Sequence, residues 1–534
     1  MRTALSLMTM LLLACGNHEP RAETQVARPS QPSFRLVALT DLSGYLEPCG
    51  CQSRPLGSID KAAARLAALK ADKVPVLFVS AGDLLFGDRP EGATSDGQAE
   101  QQETWKAESL IDILNRLGLS AATPGAKDLH YGPEVFARLA SAAKFGWLPP
   151  MPGSRDAAER VAAWSGQVGG TKVGLLGLST FQGPEVELPN DRLKQLSANA
   201  QREIDRLRGE GAALVIALLS CDMRSGRRLS ANLHGLDFAL QGGVSEASTP
   251  PPSRSGETVM LRAGYQGQGL LVVDVYVGGH GAFADVSPWT RRERDAQLKA
   301  QIDDLSQRIA AWERDPKVDR DQLAGQRQKL TSLRSELAQS AVVNPGGNAF
   351  SARFEQLGPE LHGDPQIGSL VAAYDARVND YNRIAFADVL PPPAAATAPH
   401  YVGAAACKTC HAEAFAWWSG HPHGHAYTTL EAVHKQFNLS CVGCHVTGYM
   451  QPGGSSLVHN QGLIHVGCES CHGAGSQHVA SPNKVALQLT AAVSESTCKR
   501  CHTPEHSDLF DYTTYVARLR APGHGLPAAA DNQR

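Results

Sequence analysis

Apolar residues in the first half of the chain come in short dense runs separated by amphipathic stretches. Phe34 to Leu39, Val74 to Val79, Ala213 to Leu219 and Gly269 to Val277 are of strand length and rich in leucine and β-branched residues. Between them, Ile59 to Leu69 and Ser109 to Leu117 repeat apolar positions at helical spacing. The alternation predicts an α/β domain over residues 34–288. Beyond it, Leu298, Ile302, Leu305, Ile309 and Trp312 alternate spacings of four and three, and Leu323, Leu330, Leu333 and Leu337 resume the pattern after Asp315-Pro316. This predicts an antiparallel helical hairpin, a coiled-coil insertion serving as a spacer packed on the body or as a partner-binding arm. Residues 349 to 385, with Phe354, Leu357, Leu361, Ile367, Leu370, Val371, Tyr374, Val378 and Tyr381, read as further helix, so residues 289–390 are expected to be helical throughout. A Pro/Ala linker, 391–400, separates them from a last region, 401–534, expected to be mostly helix and loop.

At the N-terminus, Arg2 precedes an apolar run from Ala4 to Ala14 that ends in Leu12-Leu13-Ala14-Cys15. The run is too short to span a bilayer and suits the core of a signal peptide. It resembles a bacterial lipoprotein signal, which implies that residues 1–15 carry the signal and a lipidated Cys15; an ordinary secretory signal is the alternative. Either implies export, and the lipoprotein reading adds membrane association through lipid at the periplasmic or outer-membrane surface. Residues 16–33, punctuated by Pro20, Pro29 and Pro32, read as a flexible tether. A hydrophobic content of 42% is that of a globular protein, and a formal net charge of −3 gives no basic stripe for nucleic acid.

The chemistry is concentrated at the other end. Four C-x-x-C-H motifs stand at Cys407/Cys410/His411, Cys441/Cys444/His445, Cys468/Cys471/His472 and Cys498/Cys501/His502. Each offers two thiols spaced to add across the vinyl groups of a haem and a histidine to ligate its iron, so four covalent c-type haems are expected. Zinc is the competing reading of C-x-x-C pairs, but it does not require a histidine after every pair. Thirteen of the nineteen histidines lie in residues 401–534, leaving nine after the four proximal ligands, enough for four bis-histidine irons.

The body carries a second set of candidates at its strand ends: Asp41-Leu42-Ser43, Gly82-Asp83, Gly125-Ala126-Lys127-Asp128, Ser220-Cys221 and Gly243-Val244-Ser245-Glu246. In this order the stretches resemble the calcineurin-like metallophosphoesterases, specifically the 5′-nucleotidase branch, whose motifs run D-x-H, G-D, G-N-H-[ED], a lone His after a strand, and G-H-x-H. The resemblance implies a metallophosphoesterase-like sandwich and a two-metal hydrolytic site. Asp41 and Asp83 match ligand positions, whereas Ser43, Ala126, Lys127, Cys221, Val244 and Glu246 replace metal-site or catalytic residues. A binuclear site needs many ligands at once, so its phosphoesterase chemistry is expected to be lost. Of the twelve cysteines, Cys49, Cys51 and Cys221 remain once haems and lipid are supplied. A disulfide with one free thiol, or a thiolate metal site with Asp83, would bring them together at the carboxyl edge of the sheet.

The stretch from Cys407 to Ala426 resembles the tetrahaem cytochrome c family of nitrifying bacteria, in which a tryptophan and a distal ligand follow the first motif histidine at offsets of seven and twelve. Trp418 and His423 occupy those offsets, and the resemblance implies that His423 serves a neighbouring haem. His425 is a competitor, His421 is expected to be solvent-exposed or to support a ligand from behind, and His478 and His524 are further distal candidates on glycine-containing loops; His434, His459, His465 and His506 are weaker ones.

Three functions compete. The leading one is an electron relay among redox partner proteins, other cytochromes above all, with a degenerate phosphoesterase-like body as scaffold or docking module. The second is a hydrolase with an altered metal site and a redox appendage. The third is a haem-based reductase or oxidase of a small nitrogen or sulfur compound at a five-coordinate iron.

Overall fold

In the computed structural model, the described residues are 30–48, 55–88, 97–148, 161–183, 185–244, 249–279, 281–314, 320–339, 347–482, 493–503, 507 and 509–519. Cys15, Cys49, Cys51, Glu246, His506 and His524 lie outside them.

The strands of the body are β1 (Phe34–Thr40), β2 (Val76–Ala81), β3 (Ala121–Thr123), β4 (Gly146–Trp147), β5 (Ala162–Val168), β6 (Thr171–Ser179), β7 (Leu214–Ser220), β8 (Phe238–Gly242), β9 (Ser253–Ser255), β10 (Thr258–Leu261), β11 (Gly269–Tyr276), β12 (Ala284–Asp285) and β13 (Ala349–Gln356). They form two mixed sheets. One runs β12-β13-β11-β1-β2-β3-β4 and the other β5-β6-β7-β8-β10-β9. The body helices are α1 (Ile59–Ala71), α2 (Gly97–Leu117), α3 (Pro133–Ser141), α4 (Asn190–Gly209), α5 (Met223–Ala231), α6 (Pro288–Trp312), α7 (Arg320–Gln339) and α8 (Pro365–Ala385).

Period-two alternation builds the layers. In β1, Leu36 and Ala38 face the second sheet, whose Leu214, Ile216 and Leu218 complete the inner core. Val37 and Leu39 face the other way, toward α1, α2, α3 and α8, where Leu66, Leu110, Leu114, Phe136 and Val378 are buried. The outer face of the second sheet is covered by α4 and α5 through Leu196, Ile204 and Leu229. The result is an αββα sandwich, two helix layers enclosing two packed sheets.

The segment 349–356 differs from the helix expected there. It is the strand β13, fully paired to β11 from Gly269↔Gln356 to Tyr276↔Ala349. Its pattern Ala-Phe-Ser-Ala-Arg-Phe-Glu-Gln buries Phe350 and Ala352 between the sheets, and a two-residue period cannot present one helical face. The chain therefore leaves the sheet after β12, makes the α6/α7 hairpin and returns to finish the same sheet. The hairpin has its own small seam of Leu305, Ile309 and Leu330, with Ile302, Leu323 and Leu333 packed against it.

The C-terminal region is built from short helices: α9 (Ala404–Cys407), α10 (Ala412–Gly420), α11 (Ala426–Glu431), α12 (Leu439–His445), α13 (Cys468–His472), α14 (Ser476–Ala480), α15 (Glu495–Lys499) and α16 (Tyr512–Arg518). Its apolar core holds Tyr427, Val442, Val446 and Leu457 together with Phe386 from the end of α8. The Pro/Ala segment lies along this region. Pro392 O accepts from Gly453 N at 2.8 Å and Thr397 O from Gln477 Nε2 at 2.8 Å. Among the described residues no helix is long and apolar enough to cross a membrane.

Candidate haem cradle and sheet-edge carboxylates

Each attachment motif sits at a helix or turn. The second spans the end of α12, the third forms α13 with Gly473 in a left-handed turn just after it, and the first and fourth begin on the one-turn helices α9 and α15. Tertiary folding then pairs the motifs. The Cys407 thiol lies close to that of Cys468, and the Cys444 thiol close to that of Cys501. The first motif thus lies against the third, and the second against the fourth.

The histidines pair as well. The rings of His411 and His478 stand 6.3 Å apart, centre to centre, with 30° between their planes. Those of His423 and His502 also stand 6.3 Å apart, at 54°. With a metal–nitrogen bond of about 2.0 Å and a ring centre about 1.1 Å behind the nitrogen, two imidazoles that shared one metal between them would be separated by about 6.2 Å. Both pairs match that separation. Burial, with His421 and His502 nearby, lowers the pKa of His423 to about 4, so at neutral pH it is the uncharged imidazole that ligation requires. His502 Nδ1 lies 2.8 Å from Ser507 Oγ, and His445 Nδ1 donates to Ala426 O at 2.5 Å. Such contacts orient a ring and leave Nε2 for a metal. The residues present therefore fit haem.

Trp418 explains how His423 is held. Its indole Nε1 donates to Val466 O at 2.9 Å, and Val466 N donates to His423 O at 3.1 Å. His421 stacks on Trp417 at 4.5 Å and accepts from His423 N through Nδ1. His425 is exposed and close to His465, whose Nδ1 accepts from Tyr427 N, and His459 Nε2 bonds Ala387 O at 2.6 Å.

Glu469, inside the third motif, escaped the sequence reading. Only 4% exposed, it accepts from Val402 N, Gly403 N and Gly475 N at 2.7 to 3.1 Å. It ties the entry to the first motif to the turn that leads to His478. A charged residue between two motif cysteines reads as solvated surface, and nothing local signals otherwise.

At the body's sheet edge, Asp41 and Ser43 both adopt left-handed backbone, at φ 47° and 52°, an uncommon conformation that surrounding structure must hold in place. Asp41 Oδ1 accepts from Gly243 N at 2.8 Å and Asp83 N at 3.2 Å, and Asp83 Oδ1 accepts from Lys127 N at 2.8 Å. Asp128 accepts from Leu84 N, Leu85 N and Gly125 N. Lys127 Nζ pairs with Asp88 at 2.9 Å. Burial, reinforced by the charge of Asp83, raises Asp41 to about 8; burial raises Asp83 to about 6; and burial with Asp83 raises Asp128 to about 7. The carboxylates at positions matching the phosphoesterase ligands thus clasp backbone amides of crossing loops. Among the described residues, no group of three or more His, Cys, Asp and Glu side chains could hold a metal ion. Cys221 is 1% exposed and packs with Leu219, Leu229 and Ala239 in the helix-facing layer; burial raises its thiol to about 12.

Residues 406–473 match the family model described as "Cytochrome c554 and c-prime". The C-terminal region is cytochrome c554-like. Cytochrome c-554 of Nitrosomonas europaea is 35% identical over 97 residues, covering 15% of this chain and 41% of that protein. The chain thus spans about four-tenths of this curated relative. Among solved structures, the 5′-nucleotidase precursor of Thermus thermophilus superposes with a TM-score of 0.42 at 16% identity, covering 68% of this chain and 61% of that one. Sulfate thiohydrolase SoxB of the same species gives 0.41 at 14%, covering 66% and 62%, and the calcineurin-like phosphoesterase YfkN of Bacillus subtilis gives 0.35 at 16%, covering 46% and 86%.

Two predictions follow from these contacts. Replacing Glu469 by Gln turns amide hydrogens toward backbone donors and should cost about 2 to 3 kcal/mol in denaturant unfolding. For Asp41, the folded state keeps a proton that the unfolded chain releases above about pH 4, so stability contributed by that proton is present below the unfolded pKa and falls as pH rises toward about 8. Thermal unfolding of Asp41→Asn across pH 4 to 9 should show a flatter profile than the parent, most clearly between about pH 5 and 7 where the parent is steepest; parallel profiles would contradict the assignment.

Proposed function

We propose that the protein is an exported, lipid-anchored multihaem c-type cytochrome that relays electrons through four haems, with a phosphoesterase-like body that no longer performs binuclear metal catalysis. The observation that carries this reading is the pair of histidine couples, His411 with His478 and His423 with His502, each at the separation of two axial ligands. Cys407 and Cys410, Cys441 and Cys444, Cys468 and Cys471, and Cys498 and Cys501 would hold the four groups, with His411, His445, His472 and His502 as proximal ligands. Bound haem supplies a one-electron iron couple, and two histidines per iron favour electron transfer over ligand activation.

The chain's own residues set the order of the relay. The thiol contacts Cys407 to Cys468 and Cys444 to Cys501 support two close pairs, first with third and second with fourth. The His423 couple ties the stretch after the first motif to the fourth, linking the two pairs. His425, exposed beside His465, is the weaker candidate for that position. Redox partners, other cytochromes among them, would exchange electrons with this array, and the lipid on Cys15 would hold it at the cell envelope.

For the body, the donor set argues against a two-metal hydrolase. Asp41 and Asp83 are engaged by backbone amides, Lys127 adds a cation beside them, and Cys221 is buried with its thiol against the Gln241 amide.

Mass spectrometry of the denatured protein should show four haem additions, and His423→Ala should convert one low-spin haem to high spin in the EPR spectrum while all four remain attached. Zinc without haem would overturn the reading, and an unchanged spectrum would remove His423. Hydrolysis of nucleotides and simple phosphoesters with manganese, zinc or calcium supplied should stay at background; turnover abolished by Asp83→Ala would restore the hydrolase reading.

A further inference from the structure

The segment entering the second attachment motif is held by the body along its length. Gln102, on α2 and 3% exposed, accepts from Leu439 N at 3.1 Å and from Asn382 Nδ2 at 3.0 Å through Oε1. Its Nε2 donates to Asn438 Oδ1 at 3.1 Å. Asn438 is the N-cap of α12, where its side chain also accepts from Ser440 N at 2.9 Å. That helix carries Cys441, Cys444 and His445. One turn upstream, Phe437 donates to Asn379 Oδ1 and accepts from Asn382 Nδ2, both on α8, and Lys435 pairs with Glu47 and with Asp375 at 3.6 Å. Asp375 and Lys106, both body residues, are close enough to act on the Cys441 thiol.

Buried polar groups of this kind must be mutually satisfied, because each orphaned donor or acceptor is costly. Gln102 makes four such bonds at once, its Nε2 also donating to Ser440 Oγ at 3.4 Å, and every one converges on the first turn of α12 or on the asparagine that supports it. A haem helix free to move on a linker would need none of them.

We propose that Gln102 is a positioning residue of the second haem site, through which the α/β body fixes α12 and so sets the environment of the iron held by His445. The body is thereby part of an electron-transfer centre. This rests on haem being attached at Cys441 and Cys444.

The test uses the full-length holoprotein and two variants, Gln102→Leu and Gln102→Glu. Leucine removes every bond; glutamate keeps acceptors for Leu439 N and Asn382 but loses the donation to Asn438. Haem content is read by mass spectrometry and peptide mapping, and the four reduction transitions by potentiometric titration followed by EPR. In Gln102→Leu one transition should move by about tenfold in its equilibrium constant, with the other three unmoved, or the haem at Cys441 and Cys444 should be lost alone. Gln102→Glu should move the same transition. Four coincident transitions in a variant that carries four haems would overturn the proposal. Should neither variant accumulate, hydrogen exchange on the unsubstituted protein decides: amides of residues 437–441 should be protected together with α2, and rapid exchange there with α2 protected would overturn the proposal. If peptide mapping of the unsubstituted protein finds Cys441 and Cys444 unmodified, it is the multihaem reading that fails.

Discussion

Among the described residues, the C-terminal region buries little apolar surface of its own. Its core counts Tyr427, Val442, Val446 and Leu457 and must borrow Phe386 from the body, while its helices run from four to nine residues. Helices that short are marginal without tertiary support, and small cores need cross-links. Haem bound at the cysteine pairs, as proposed above, would meet this need, since each group would staple two thiols and a histidine. Function and stability would then have one origin: the groups that carry electrons would also take the place of a core.

What covalent attachment leaves unsettled, buried polar contacts complete. Glu469 fastens the entry to the first motif to the turn before His478, and Gln102 fastens the second motif to the body. The Pro/Ala segment is hydrogen-bonded along the same surface. The two parts of the chain thus meet over buried hydrogen bonds and the Lys435 ion pairs, an arrangement that fixes distance and orientation between the sandwich and the second motif.

The sheet edge shows the opposite fate for polar residues. Carboxylates gathered at strand ends repel one another and resist burial unless something compensates them. Here the compensation comes from backbone amides of the loops after β2, β3 and β8, with Lys127 supplying positive charge. Left-handed backbone at Asp41 and Ser43 is the conformational cost of turning these groups inward. The sheet edge is closed by the protein's own amides.

The attachment motifs were legible from sequence because their chemistry is local: two thiols and a histidine within five residues suffice to define a haem site. The α/β alternation and the hairpin seam were legible for the same reason, each being a short-range period. The strand at 349–356 was not, because flanking helical patterns masked its two-residue alternation and its partner β11 lies on the far side of an inserted hairpin. The offset of His423 from His411 marked it as a candidate; that its ring faces His502 was decided by chain closure over long loops. Gln102 and Glu469 carried no signal, since an isolated glutamine or glutamate in a helical pattern is ordinarily a solvated residue. Sequence by itself determined which groups could be bonded to haem and which stretches would become strands and helices. Only the tertiary structure decided which histidines face each other and which polar residues are buried, because those properties depend on distances between segments remote along the chain.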